Sequence, residues 1–149
     1  MNQERTILHV DDDPDMLRIV ARRLADEGYR VLSLSDPREV PDRLSDSGAR
    51  LVLVDIEMPE MDGLSLLRQI KRDDASVQVI MLTGVVTLST ALRTMRYGAE
   101  ACVFKPIDDF SPLLTAVDAA FAKLDRWWQS LEDLRRRKAD SRDPVVTQT

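Results

Sequence analysis

The stretch LVLVDIEMPEMDG, residues 51–63, decides the fold. Residues 51–54 form a continuous apolar run that reads as a buried β-strand, and Asp55 closes it. The Met58-Pro59 to Asp62-Gly63 loop then leads into a helix whose inner face is Leu64, Leu67 and Ile70. The same succession recurs along the chain. A strand over Thr6–Val10 precedes Asp11-Asp12-Asp13, one over 77–82 precedes Thr83-Gly84, and one over Ala101–Phe104 precedes Lys105-Pro106. In a parallel α/β sheet the strand ends gather at one edge, where a ligand site forms. Three acidic positions, a hydroxyl and a lysine therefore converge, a set suited to a divalent cation and a phosphoryl group.

Between these strands the pattern is helical. Leu17, Val20, Ala21 and Leu24 repeat at helical spacing, and Gly28 stands where a C-terminal cap is wanted. Arg30–Leu34 reads as a second strand, followed by a helix that starts near Asp36-Pro37, with Pro41 close behind. Leu88, Ala91, Leu92 and Met95 make a further helical stripe that ends at Gly98. A βα order repeated five times predicts a doubly wound, five-stranded parallel sheet. No G-x-G-x-x-G follows the first strand, which argues against a dinucleotide binder.

The composition narrows the class. A chain of 149 residues, 44% of them hydrophobic, has room for one domain and a short appendage. Its net charge of -5 is the wrong sign for a surface that coats nucleic acid. The single cysteine, Cys102, has no intrachain disulfide partner, and no signal-like or membrane-length apolar run is present. A cytoplasmic protein without a membrane partner is expected.

The strand-end residues carry the chemistry. Carboxylates about 4 Å apart repel by roughly 4 kcal/mol at an intermediate dielectric, a cost that a hard cation removes. Mg²⁺ suits such a site because it takes one or two carboxylates plus phosphate oxygens and keeps several waters. Asp13 has its own task as the N-cap before Pro14, which leaves Asp11 and Asp12 for the cation. Alone, Asp55 is a loop or capping residue, Thr83 a helix-entry residue and Lys105 a solvated charge. Together, a carboxylate beside a cation and a lysine is an acyl-phosphate nucleophile, and the hydroxyl and ammonium bind phosphoryl oxygens. His9, the only histidine, lies inside the first strand and reads as a packed side chain.

The strings ILHVDDDP, LVLVDIEMPEMDG, VIMLTG and GAEACVFKP, in this order across roughly residues 5–124, resemble the signature segments of the response-regulator receiver domain. The resemblance implies a flavodoxin-like sheet of order 2-1-3-4-5 with five helices. It also implies Mg²⁺ and a phosphoryl group taken from a phosphohistidine on a sensor histidine kinase or phosphotransfer protein. Asp55 corresponds to the phospho-accepting aspartate, and Asp11 and Asp12 to the acidic pair. Asp12 is then the direct metal ligand, with Asp55 and the backbone carbonyl of Glu57, while Asp11 acts indirectly. Thr83 matches the switch hydroxyl, and Lys105 the family's lysine, followed by Pro106 in a Lys-Pro turn that is sometimes cis. Glu57 and Val85 fall at variable positions that tune water access to the phosphoryl group. Such a receiver is a signalling module that catalyses only its own phosphorylation and dephosphorylation. One position departs from the pattern: where the family carries Tyr or Phe as a rotating switch, this chain has Cys102.

The tail is the second informative region. Leu114, Val117, Phe121, Leu124, Trp128 and Leu131 are spaced 3, 4, 3, 4, 3, a heptad-like seam that runs past the length expected of a receiver's last helix. A helix over 112–137 would measure roughly 39 Å, and its second half would have no domain to pack on. Trp127 and Trp128 there predict a partner, either a second copy in a parallel coiled coil or another domain. The alternative is a helix folded back on its own receiver. Arg135-Arg136-Arg137-Lys138 suits the helix C-terminus, so direct nucleic-acid binding is not needed to explain it. We expect a receiver over 1–124 and a helical extension over 125–149 whose last residues, from Ala139, form an unstructured tail or linker.

Two other classes use the same groups. A Mg²⁺-dependent aspartyl-phosphate hydrolase would carry its nucleophile in a D-x-D motif on the first strand and need a cap, whereas here the candidate nucleophile follows the third strand. A phosphorylation-independent interaction module would leave the complete site unexplained.

Overall fold

The computed structural model describes residues 5–84, 87–105 and 108–146, with side chains through Ser141. Strands β1 (Thr6–Val10), β2 (Arg30–Leu34), β3 (Leu51–Asp55), β4 (Gln78–Thr83) and β5 (Ala101–Phe104) form one parallel sheet in the order 2-1-3-4-5. Helices α1 (Pro14–Asp26), α2 (Val40–Ser47), α3 (Gly63–Asp73), α4 (Leu88–Arg96) and α5 (Ser111–Val146) return the chain between strands or follow the last one. This is the flavodoxin-like arrangement expected.

Both faces of the sheet are covered, so β1 and β3 are buried at every position and mostly apolar rather than alternating. Leu8, Val10, Val52, Val54 and Met81 face Leu66, Leu67 and Ile70 of α3 and Val40 of α2. Ile7, Leu51, Leu53, Ile80 and Leu82 face Val20 and Leu24 of α1 and Leu113, Val117 and Phe121 of α5. Local signals set the ends. The Asp13 carboxylate accepts the Asp15 N–H at 3.0 Å, with Pro14 opening α1. A short 3₁₀ turn, Pro37–Glu39, precedes α2, and Pro41 is tolerated because it falls in the first turn, where its missing N–H leaves no bond unmade. Gly28, at φ 92°, takes the left-handed conformation that ends α1.

The structure orients one stripe and corrects one expectation. The stripe on α4 faces outward: Leu88, Leu92 and Met95 are exposed, and only Thr94 is buried. Periodicity defines such a stripe without saying which side docks, and here Thr94 and its neighbours Thr90 and Ala91 turn inward. The correction concerns α5, which continues to Val146 instead of giving way at Ala139 to an unstructured tail. No glycine or proline interrupts residues 113–143, and i,i+3 pairs Arg135–Glu132 and Arg136–Asp133 support the exposed turns. At 36 residues the helix is roughly 54 Å long.

The second half of α5 is largely exposed, with one side lining a groove against the domain. Arg5 pairs with Asp125 at 3.2 Å. Beyond it, Trp128 and Glu132 line a groove of about 850 Å³ shared with Arg5 and Arg50. Trp127, Leu131 and Leu134 are 61%, 50% and 63% exposed.

Candidate functional site

β1 and β3 are adjacent and in register, Val10 beside Val54, so the residues that follow each, Asp11 and Asp55, come together at the sheet's C-terminal edge. Both are completely buried. Asp12 is exposed at the mouth, and one carboxylate oxygen from each of Asp11, Asp12 and Asp55 lies within 4.8 Å of the others. Lys105, just past β5, brings its Nζ to 3.2 Å from Asp55 Oδ2 and 3.5 Å from Asp11 Oδ2.

Backbone amides orient the two buried acids. Asp11 Oδ1 accepts the Asp13 N–H at 2.9 Å, and Asp55 Oδ1 accepts the Glu57 N–H at 3.1 Å. Each Oδ2 is left facing the ammonium at ion-pair distance but without an aligned hydrogen bond. One lysine thus serves two buried carboxylates. Burial, reinforced by the charge of Asp11 and opposed by Lys105, pushes Asp55 up to about 7. Asp11 is also raised, by burial against the pull of the Asp13 N–H and Lys105. Burial would lower Lys105, but the two acids outweigh it and hold the ammonium above its ordinary value. Buried oxygens without a hydrogen bond, beside an exposed third carboxylate, are what a hard divalent cation with a water-filled outer face fits.

Thr83 ends β4 fully buried, and its carbonyl accepts the Lys105 N–H at 2.9 Å, tying these two strand ends together. Its Oγ1 donates to Glu57 Oε1 at 2.6 Å, and the Gly84 N–H reaches Glu57 Oε2 at 3.4 Å. Partial burial would raise Glu57, but these bonds and the charge of Lys105 bring it below the usual carboxylate range.

Cys102, beside Met81, is half-buried against the core, and burial pushes its thiol up against the pull of Thr94. A raised thiol pKa keeps it unreactive, in line with a small strand residue. The exposed aromatic on β5 is Phe104, two positions on. His9 is buried, with neither ring nitrogen hydrogen-bonded; burial and the charge of Lys105 lower it to about 3, so it stays neutral. Val85 and Pro106 lie outside the described residues.

The sequence pointed to the loop before α3 but not to why Gly63 is in it. A Cβ at Gly63 would stand 2.2 Å from the Asp55 carbonyl oxygen and 2.7 Å from the Ile56 Cα. The loop closes on the backbone of Asp55 and Ile56, and only glycine permits that approach. An Asp-Gly pair at a helix entry was the available signal.

The sequence matches the response regulator receiver domain over residues 7–118. The chain belongs to this family. It is 32% identical over 130 residues to the transcriptional regulatory protein GlrR of Escherichia coli K12, covering 84% of this receiver chain and 29% of that protein. It is 35% identical over 100 residues to the C4-dicarboxylate transport regulator DctD of Pseudomonas aeruginosa, covering 67% and 22%. The chain therefore spans less than a third of the length of these relatives. Among solved structures it is similar to the response regulator TrrA of Thermotoga maritima in complex with Mg²⁺-BeF, at 27% identity and a TM-score of 0.71, covering 78% of this chain and 98% of that one. The beryllofluoride-activated NtrC4 receiver domain dimer is similar at 25% identity and a TM-score of 0.75, covering 80% and 98%. Receivers are signalling modules phosphorylated by histidine kinases or phosphotransfer proteins. No helix among the described residues is long and apolar enough to cross a membrane.

Proposed function

We propose that this receiver accepts a phosphoryl group on Asp55, with Mg²⁺ held by Asp12, Asp55 and the backbone carbonyl of Glu57, and Asp11 supporting the ion indirectly. The observation that carries this is the pair of fully buried carboxylates sharing one lysine, an arrangement short of positive charge. An Asp55 oxygen attacks phosphorus in line. An O–P bond forms as the P–N bond of a phosphohistidine donor breaks, and the electron pair leaves with the imidazole. Lys105 offsets charge on the phosphoryl oxygens, and Thr83 turns its hydroxyl toward one of them. Bound Mg²⁺ supplies charge neutralisation and positioning. Little proton transfer is required, so catalysis is mainly electrostatic. Supply by a histidine kinase or phosphotransfer protein places this work in the cytoplasm.

Acetyl phosphate and Mg²⁺ should give one acid-stable, base-labile phosphoryl adduct on the full chain and none on Asp55→Asn. Equal labelling of both, or none on the natural sequence, would refute the assignment.

The receiver unit is assigned to residues 1–124 and the extension to 125–149. We infer that the extension pairs with a second copy in a parallel coiled coil. The support is the exposed stripe of Trp127, Leu131 and Leu134, continuing from half-buried Leu124 at spacings of 3, 4 and 3. This seam differs from one through Trp128, which turns toward the groove beside Arg5.

A further inference from the structure

Two donors near Asp55 that could meet phosphoryl oxygens, the Thr83 hydroxyl and the Gly84 N–H, are already engaged by a carboxylate of this chain. We propose that Glu57 is a latch: its side chain holds Thr83 in the unphosphorylated receiver and must let go before the hydroxyl can turn to a phosphoryl oxygen. This rests on the reading of Asp55 as the acceptor.

Glu57 spans the two halves of the site. Its backbone N–H donates to Asp55 Oδ1 at 3.1 Å, while its carboxylate accepts from Thr83 Oγ1 at 2.6 Å. The second contact is short and charge-assisted, the stronger kind of hydrogen bond, whereas the 3.4 Å approach of Gly84 adds little. A hydroxyl has one hydrogen to donate, so the Glu57 carboxylate and a phosphoryl oxygen compete for it. Phosphorylation also brings close to two negative charges into the space that the carboxylate faces, and like charges drive the latch open. Glu57 is thus a positioning residue that acts through Thr83. Its length matters, because a side chain one methylene shorter keeps the charge but loses the reach.

The test is the binding of beryllofluoride with Mg²⁺ to the full chain, followed by calorimetry. Releasing a partly solvated, charged hydrogen bond should tighten binding by about three- to tenfold in Glu57→Ala. Glu57→Asp should gain as much, and Glu57→Ala should gain nothing in a Thr83→Ala background, where the latch has nothing to hold. Without any ligand, the Thr83 methyl resonance of Glu57→Ala should shift toward its position in beryllofluoride-bound natural protein. Unchanged affinity in Glu57→Ala overturns the latch. So does a gain that persists without Thr83, or one missing from Glu57→Asp, since either assigns the effect to charge alone. Failure of the natural protein to bind beryllofluoride overturns the reading of Asp55 itself.

Discussion

Replacing Asp55 by Asn should stabilise the metal-free protein, and more so at high pH. Asp55 is completely buried, its Oδ2 has only a shared lysine for company, and burial and Asp11 push it up to about 7 from an ordinary value of 3.8. A carboxylate whose folded pKa lies above its unfolded value contributes stability that is fully present below the unfolded value and lost as pH rises through the folded one. The window is therefore from about 4 to about 7, with the loss complete by about pH 8. The full shift corresponds to about 4 kcal/mol as a ceiling. Because Asp11 shares the same lysine and relaxes when Asp55 loses its charge, the gain expected for Asp55→Asn is about 1–3 kcal/mol at pH 8, falling toward zero near pH 4. Urea unfolding followed by circular dichroism, with a chelator present, measures it as a shift in midpoint at constant slope. Millimolar Mg²⁺ should stabilise the natural protein at pH 8 and do less for the variant. A variant no more stable than the natural protein at pH 8, or a gain independent of pH, would refute the reasoning.

Gly63→Ala, whose Cβ would meet the Asp55 carbonyl oxygen and Ile56 Cα, should cost about 1–3 kcal/mol in urea unfolding and slow labelling by acetyl phosphate. His9 is held at about 3 by burial and the charge of Lys105, below its unfolded value, so its stability contribution is present above about 6.5 and lost as pH falls; His9→Leu should gain up to about 2 kcal/mol at pH 5 relative to pH 8. Trp127→Glu with Leu131→Glu should leave phosphorylation intact while shifting sedimentation from dimer to monomer at micromolar concentration; a natural protein that is monomeric at high micromolar concentration refutes the coiled coil. Amide hydrogen exchange should be faster along α4 than along α3, and equal protection would contradict the packing difference between them.

Much of this was legible in the residues themselves. The limits of β1, β2 and β5 coincide with the strand-like runs read from the sequence, although only β1 of the three is buried along its whole length, and Asp13-Pro14 announces the start of α1. The convergence of Asp11, Asp12, Asp55, Thr83 and Lys105 follows from strand order alone, once each is seen to stand at a strand's end. Three features do not follow from local pattern. The outward turn of Leu88, Leu92 and Met95 depends on which side of α4 the sheet accepts, and a helical period is the same for either side. The continuation of α5 past Ala139 follows no apolar stripe, and no glycine or proline stands between Ala139 and Asp143 to end it sooner. The Glu57–Thr83 bond joins residues 26 apart through side-chain reach across two strand ends.

The uneven docking of the helices bears on how the site is read from outside. α3 buries Gly63, Leu64, Leu66, Leu67 and Ile70, so its position is held by a large apolar contact. α4 buries only Thr94, a polar residue whose hydroxyl donates to the Ala91 carbonyl at 2.8 Å within the same helix. Apolar burial is the main force that fixes a helix on a sheet, so α4 is an element that a small local change can move. It is also the helix that follows Thr83, whose hydroxyl is committed to Glu57. Cys102 contributes no ring to be turned, and the surface beside it is already apolar, with Leu88, Leu92, Met95 and Phe104 exposed. A two-state response therefore needs no aromatic flip. Freeing Thr83 from Glu57 changes what the end of β4 is tied to, and the weakly held α4 that follows has little apolar packing opposing a new position.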